Sequence, residues 1–297
     1  MSISRFKAAL SAAVVGAMTL GAALSAQAAE TLRFAVTDVE GLEKLQLEWG
    51  PFKKVLEEKS GLKFEFFPVS NRTAAAEALK FKKVDFVLTG PAEYVVMNKR
   101  TNAVPVAGFS RPDYFCALVV MADSGITEVS QLKGKKIVFK SVGSTSGHLC
   151  PSQLLMDYGI DPQKDVDLKF VARNIMHESL KNGSADVLGD NYRSWVNDAR
   201  SKDKLPAGAF RVLARSGDLP NDLLMAGAHV KADVIAKVKQ VLEANSDALV
   251  GAITSNEENM KYAGMKFLTK IEDKDYNVVR SMYATIGYPQ YSDFVGD

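Results

Sequence analysis

The stretch Lys140-Ser141-Val142-Gly143-Ser144-Thr145-Ser146-Gly147-His148-Leu149-Cys150-Pro151 concentrates the residue types best suited to chemistry. Three consecutive hydroxyls, Ser144, Thr145 and Ser146, stand between two glycines where a strand pattern gives way to a helix pattern. Hydroxyls at a helix start can cap free backbone N–H groups. They can equally donate to an anion seated there, where orphan amides and the helix dipole already favour negative charge. Gly143 and Gly147 allow the backbone to approach such a ligand, and three hydroxyls in a row are more than capping requires. No Gly-Lys-Ser/Thr follows, so the segment is not the phosphate loop of a nucleotide hydrolase. The sequence also lacks a Gly-x-Ser-x-Gly elbow, a paired-carboxylate motif and a cofactor fingerprint. Its three histidines, His148, His177 and His229, are scattered without metal-ligand spacing. The chemistry indicated is the binding of an anion, not its turnover, with no cofactor or metal expected.

Cys116 and Cys150 are the only cysteines. In an oxidising compartment an even pair readily forms a disulfide. Left reduced, the same pair offers soft thiolates that suit a thiophilic solute such as arsenite far better than a phosphate. Proximity is not readable from sequence, so both roles stand open at this point.

The elements that must position these residues alternate. Leu32–Val36 reads as a strand, Trp49–Lys59 as a helix stopped by Gly61, Phe64–Val69 as a strand, Thr73–Lys82 as a helix and Val84–Leu88 as a strand. This β-α-β-α-β order predicts a largely parallel sheet covered by helices. A second unit begins near Tyr114, with strands at Phe115–Met121, Ile137–Phe139, Leu168–Val171 and Ala185–Leu188. Its helices follow the hydroxyl motif, ending near Gly159, and span His177–Asn182. The chain returns at Arg211–Leu213, and Ala232–Ile253 and Tyr276–Ile286 read as amphipathic helices. No repeat or low-complexity linker separates the halves, so two lobes joined by crossing strands fit better than two domains in series. On such sheets ligands bind beyond the carboxyl ends of the strands, here facing a cleft.

At the N-terminus Arg5 and Lys7 precede an apolar run from Ala8 to Leu24, and Ser25-Ala26-Gln27-Ala28-Ala29 supplies the small residues of a cleavage site. Residues 1–28 read as a secretory signal peptide, with no cysteine at the cut to carry a lipid. Removing Arg5 and Lys7 leaves 35 basic residues against 35 acidic ones. A charge near zero argues against nucleic acid or an anionic membrane surface as partner.

Taken in order, several motifs are similar to the phosphate/phosphite/phosphonate-binding family of periplasmic proteins that feed ABC importers. They are Trp49-Gly50-Pro51-Phe52, Val84-Asp85-Phe86, Gly90-Pro91-Ala92-Glu93-Tyr94, Tyr114 with its apolar strand and Asp123-Ser124-Gly125-Ile126. Leu132-Lys133-Gly134-Lys135, Ser144-Thr145-Ser146-Gly147 with Pro151, and Leu219-Pro220-Asn221-Asp222 complete the set. The resemblance implies an α/β, two-lobed type II periplasmic binding protein fold with a hinge and an interlobe cleft. Lobe one would take residues 30–112 and 214–297, and lobe two residues 113–213.

The resemblance also implies roles. The hydroxyls and amides of Ser144, Thr145 and Ser146 would hold a small phosphorus oxyanion, and Tyr94 would add a hydroxyl from the other lobe. His177 would donate to the ligand, and Asp190 would accept from a protonated ligand oxygen. Read as residues alone, Tyr94 fits a buried helix face, His177 a surface or capping position and Asp190 a helix cap. The partner implied is an ABC permease in the membrane. Relatives of similar build that sense arsenite and signal to a membrane histidine kinase give an alternative in which Cys116 is the ligand.

Overall fold

The computed structural model describes residues 31–37, 39, 41–291, 293 and 294; the signal-peptide assignment to residues 1–28 lies outside them. The first part of the chain runs β1 (Thr31–Val36), α1 (Leu42–Ser60), β2 (Lys63–Phe66), α2 (Arg72–Lys80), β3 (Phe86–Thr89), α3 (Pro91–Thr101) and β4 (Val104–Phe109). It continues with β5 (Cys116–Met121), β6 (Lys136–Phe139), α4 (Cys150–Asp157), β7 (Asp167–Phe170), α5 (Arg173–Lys181), β8 (Val187–Asn191) and β9 (Phe210–Arg215). The last part is β10 (Asp222–Ala226), α6 (Ala232–Ala244), α7 (Ser246–Thr254), β11 (Phe267–Leu268) and α8 (Asn277–Thr285).

Two sheets result. One has the order β11-β4-β10-β3-β1-β2, the other β7-β6-β8-β5-β9. Each is mixed, where the pattern of the sequence predicted largely parallel pairing. β1 runs parallel to β2 and β3, and β6 parallel to β7 and β8, because helices connect them. β10 lies antiparallel between β3 and β4, and β5 antiparallel between β8 and β9. The cause is the path of the chain: it leaves one sheet after β4 and re-enters it as β10, so the returning strands arrive reversed. The two crossings are 110–115 and 216–221.

α8 adds a third connection. Its Tyr283 hydroxyl donates to the carbonyl of Ala92 on α3 at 3.0 Å, while its Thr285 hydroxyl donates to Gln153 on α4. Tyr276, Val279, Met282, Tyr283 and Ile286 are buried in a core shared with residues of α3 and α4. A separate core lies under α1, where Trp49 and Phe52 pack against Phe109 and Tyr262. Burying each such large apolar side chain contributes roughly 1.5–3 kcal/mol.

Two element boundaries depart from expectation for clear reasons. α1 starts at Leu42 and carries Pro51 inside it, whereas Pro51 beside Trp49 reads as a helix start. The expected single helix over 232–253 breaks at Asn245, whose side-chain amide donates to the carbonyl of Val241. Among the described residues no helix is long and apolar enough to cross a membrane.

Cys116, at the start of β5, and Cys150, at the start of α4, form a disulfide with Cα atoms 6.2 Å apart. The bond pins the helix that follows the hydroxyl motif to β5, an inner strand of its sheet. It also corrects the soft-ligand role: with both sulfurs bonded to each other, Cys116 presents no thiolate for arsenite. Closing a loop of 34 residues stabilises by about 3–4 kcal/mol on chain-entropy grounds. Cys116→Ala with Cys150→Ala should therefore lower the urea midpoint by a corresponding amount while far-UV circular dichroism stays native-like. An unchanged midpoint would show that the bond is not part of the folded protein.

Candidate functional site

The hydroxyl motif begins a helix by an unusual route. Ser144 is its cap, its Oγ accepting from the amide of Gly147 at 3.2 Å. Thr145–Leu149 form one widened π turn before α4 takes over at Cys150. Pro151 explains part of this, since it has no N–H to give the carbonyl four residues back. That carbonyl, of Gly147, accepts instead from the amide of Lys140 at 3.0 Å. The start of the helix is thereby stitched to the end of β6. The stitch needs glycine: a Cβ at Gly147 would lie 2.6 Å from the Cβ of Lys140 and 3.3 Å from Oδ1 of Asp190. Gly143 turns the chain beforehand with φ +81°, a left-handed conformation that glycine adopts without strain. Its amide donates to Nδ1 of His148 at 3.0 Å.

Ser144, Thr145 and Ser146 line a cavity of about 320 Å³ between the sheets. On the same wall stand Lys140, Ser141, Arg173 and Asn191. Gly90, Pro91, Glu93, Arg72, Asp222 and Lys261 form the opposite wall, and the first crossing contributes Arg111 and Tyr114. Most of these residues follow or precede strands at one edge of each sheet, where the sequence places a ligand. The walls touch directly: the amide of Ala92, in the first turn of α3, donates to Thr145 Oγ1 at 3.0 Å. The hydroxyl proton of Thr145 stays available to a ligand, so the positive end of α3 backs it.

Five cationic side chains face this cavity against two carboxylates. Arg72 Nε lies 2.7 Å from Glu93 Oε1. Arg111 Nη1 is 3.4 Å and Lys261 Nζ 3.9 Å from Asp222, which also accepts from the hydroxyl of Tyr262 at 2.7 Å. The Arg111 guanidinium sits 3.7 Å above the ring of Tyr114. Burial works against the Arg111 charge, yet Asp222, with Tyr114 and Tyr262, more than offsets it and holds the pKa above the ordinary arginine value. Burial first, working against Arg111 and joined by the negative charges of Asp222 and Glu93, pushes the Tyr114 phenol up to about 12, so it remains a neutral donor.

Of the residues assigned from sequence, the three hydroxyls come together in this cavity; the others lie elsewhere. Tyr94 is buried and its hydroxyl donates to Asp273 at 2.9 Å, with its ring against Tyr276. The tyrosine that faces the serines is Tyr114. His177 lies inside α5, not ahead of a helical turn, with Nε2 3.0 Å from Ser194 Oγ. It lines a neighbouring cavity with Arg173 and Lys202. Asp190 sits within β8, fully buried behind the hydroxyl turn. Its Oδ1 accepts from the amide and side chain of Asn191, and its Oδ2 lies 3.9 Å from Arg173 Nε without a hydrogen bond among the described residues. Sequence reasoning missed the charged walls. Glu93 and Asp222 stood within the Gly90–Tyr94 and Leu219–Asp222 motifs, and Lys140 directly follows a strand, so those three carried a positional signal. Arg72, Arg173 and Lys261 carried none. Among the described residues no group of three or more His, Cys, Asp or Glu side chains is placed to hold a metal.

Two mixed α/β sheets joined by crossing segments around a polar cleft define the two-lobed periplasmic binding protein class. Residues 34–276 match the family described as ABC transporter, phosphonate, periplasmic substrate-binding protein, and the chain belongs to that family. The family is one of binding proteins, not enzymes. The chain is 26% identical over 226 residues to the phosphate-import protein PhnD of Mycolicibacterium smegmatis, covering 71% of this chain and 70% of that one. It is 27% identical over 213 residues to the phosphonates-binding periplasmic protein of Escherichia coli, covering 65% and 60% respectively. In structure it resembles PhnD1 of Prochlorococcus marinus, solved with methylphosphonate, with a TM-score of 0.66, 18% identity and 87% and 98% of the two chains covered.

His148 gives the site a pH dependence of its own. Burial holds its pKa down at about 4, from 6.5, so the folded protein keeps it neutral as an acceptor for Gly143. The associated stability is fully present above pH 6.5 and is lost as pH falls through 4, amounting to about 3 kcal/mol. Urea titrations between pH 7 and 4 should show this decline. His148→Gln should flatten it relative to wild type; parallel curves for the two proteins would remove His148 as the cause.

Proposed function

We propose that the protein captures a small phosphorus oxyanion between its lobes and delivers it to an ABC permease. The observation that carries this reading is the single cavity in which Ser144, Thr145 and Ser146 face Arg72, Arg111 and Lys261 from the other side. Hydroxyl donors and planar or point cations arranged around one volume suit the oxygens of a tetrahedral dianion. Phosphate, phosphite and methylphosphonate all present that group, and the names of the relatives fall in the same chemical range. An anion that touches both walls favours the closed arrangement over an open one by its differential affinity, which is the basis of capture by hinge closure. In this reading Ser144, Thr145 and Ser146 bind the ligand, Tyr114 and Arg111 orient it, and Asp190 holds Arg173 toward it. The arsenite alternative has no support from a paired Cys116 and Cys150. Export to the periplasm, through the leader at residues 1–28, belongs to the same proposal.

Calorimetric titration of the purified protein with phosphate, phosphite and methylphosphonate should give saturable heat with at least one of them. Ser146→Ala should weaken it by about 1–3 kcal/mol, the usual worth of a hydrogen bond to a charged group. Arsenite should give none. The reading fails if no phosphorus oxyanion binds, or if binding is indifferent to Ser146→Ala and Arg111→Ala alike.

A further inference from the structure

The cavity does not end at the serines. Arg111, Arg173, Asn191 and Lys261 are shared with a second, larger cavity of about 540 Å³, which extends the cleft outward. Arg193 and Lys202 join them there, opposite Glu257 and Glu258 on the rim. Arg193 also crosses the cleft, its Nη1 donating to the carbonyl of Met260 at 2.6 Å. The floor of this outer bay is therefore closed between the lobes like the inner one. Five cations face it against two exposed glutamates.

Among the described residues, Pro91 is the only side chain without a polar atom lining the inner cavity, and Met260 the only one without nitrogen or oxygen lining the outer. A hydrocarbon substituent on the phosphorus would meet far more polar than apolar surface. It would also strip water from guanidinium and ammonium groups without replacing their hydrogen bonds. A substituent ending in an anionic group would accept those hydrogen bonds and add charge of the favourable sign.

We infer that the ligand carries a second anionic group joined to the phosphorus centre by a short spacer, as in phosphonocarboxylates and diphosphates. The phosphorus oxyanion occupies the serine bay and the second group lies over Arg173, Arg193 and Lys202. This rests on the reading of the inner bay as the phosphorus site and names the substrate class that the whole cleft selects. Arg173 and Lys261, which border both bays, couple the two groups.

The experiment compares phosphonoacetate and 3-phosphonopropionate with ethylphosphonate, n-propylphosphonate, 2-aminoethylphosphonate and inorganic phosphate by calorimetry. At least one phosphonocarboxylate should bind about tenfold or more tightly than the alkylphosphonate of equal length, the effect of one charge-assisted hydrogen bond. The aminoethyl compound should bind more weakly than the carboxylates. In Lys202→Ala and Arg193→Gln the ratio of carboxylate to alkyl affinity should fall severalfold, and in Glu257→Gln/Glu258→Gln it should rise. Equal affinity for carboxylated and alkyl ligands, or an unchanged ratio in all three variants, would overturn the second anionic group while leaving the phosphorus site intact. Absence of binding by every compound, phosphate included, would instead overturn the phosphorus site and this inference with it.

Discussion

Like charges gathered in a cleft repel one another, and the cleft of this protein is built around holding them in place. Two unit charges at 4 Å interact by about 4 kcal/mol in the effective dielectric near a protein surface. Glu93 and Asp222 meet that cost by standing between cations, Glu93 on Arg72 and Asp222 on Arg111 and Lys261. Each carboxylate is itself almost completely buried, so neither is stable without its cations. The arrangement dictates where chain segments may go. Asp222 must begin β10 at the edge where β3 delivers Gly90 and Glu93, and Arg111 must lie in the crossing that reaches the same edge. The reversed return of the chain into the first sheet is what brings these positions together.

The second wall carries two cations of its own, Lys140 and Arg173, and obeys a related constraint by filling the space between them with neutral donors. More cations opposite Arg72 and Arg111 would add repulsion, whereas hydroxyls add hydrogen bonds without charge. Presenting three of them requires a helix start close against its sheet, which the structure obtains from Gly147, the missing N–H of Pro151 and the substitute amide of Lys140. The disulfide then ties the same turn to β5. Thr145, by accepting from Ala92, joins this wall to α3, and Ala92 in turn accepts from Tyr283 of α8. The contact between lobes and the presentation of the donors thus share atoms, so a change in one disturbs the other.

The parts of this site legible in the sequence were those whose signal is local. Ser144–Ser146 between two glycines is a local pattern, and the alternation of strands and helices predicted two α/β units well enough to place that pattern at a strand end. What stayed hidden depends on residues far apart in the chain. Arg72, Arg111 and Lys261 read as ordinary surface charges until the fold brings them to one volume. Tyr94 and Tyr114 could not be ranked by type; only packing shows that the Tyr94 hydroxyl is taken by Asp273 and that Tyr114 lies beneath Arg111. The pairing of Cys116 with Cys150 is similar, since its geometry depends on β5 running under α4. His177 reads as an element end from its neighbours, yet α5 begins a turn earlier at Arg173, which gives Arg173 rather than His177 the position facing the serines.

A receptor that hands its ligand onward must bind firmly and still let go, and the paired walls supply a physical route to both. A cation already engaged by Glu93 or Asp222 gives a ligand only the difference between two attractive interactions. Affinity then grows less steeply with the number of cations than their count suggests, while wrong partners still meet misplaced charge. On the proposed reading, the hydroxyl wall contributes directional bonds that depend on closure. Opening then removes those contacts, and the residual attraction of the opposite wall is the part that Glu93 and Asp222 have already weakened.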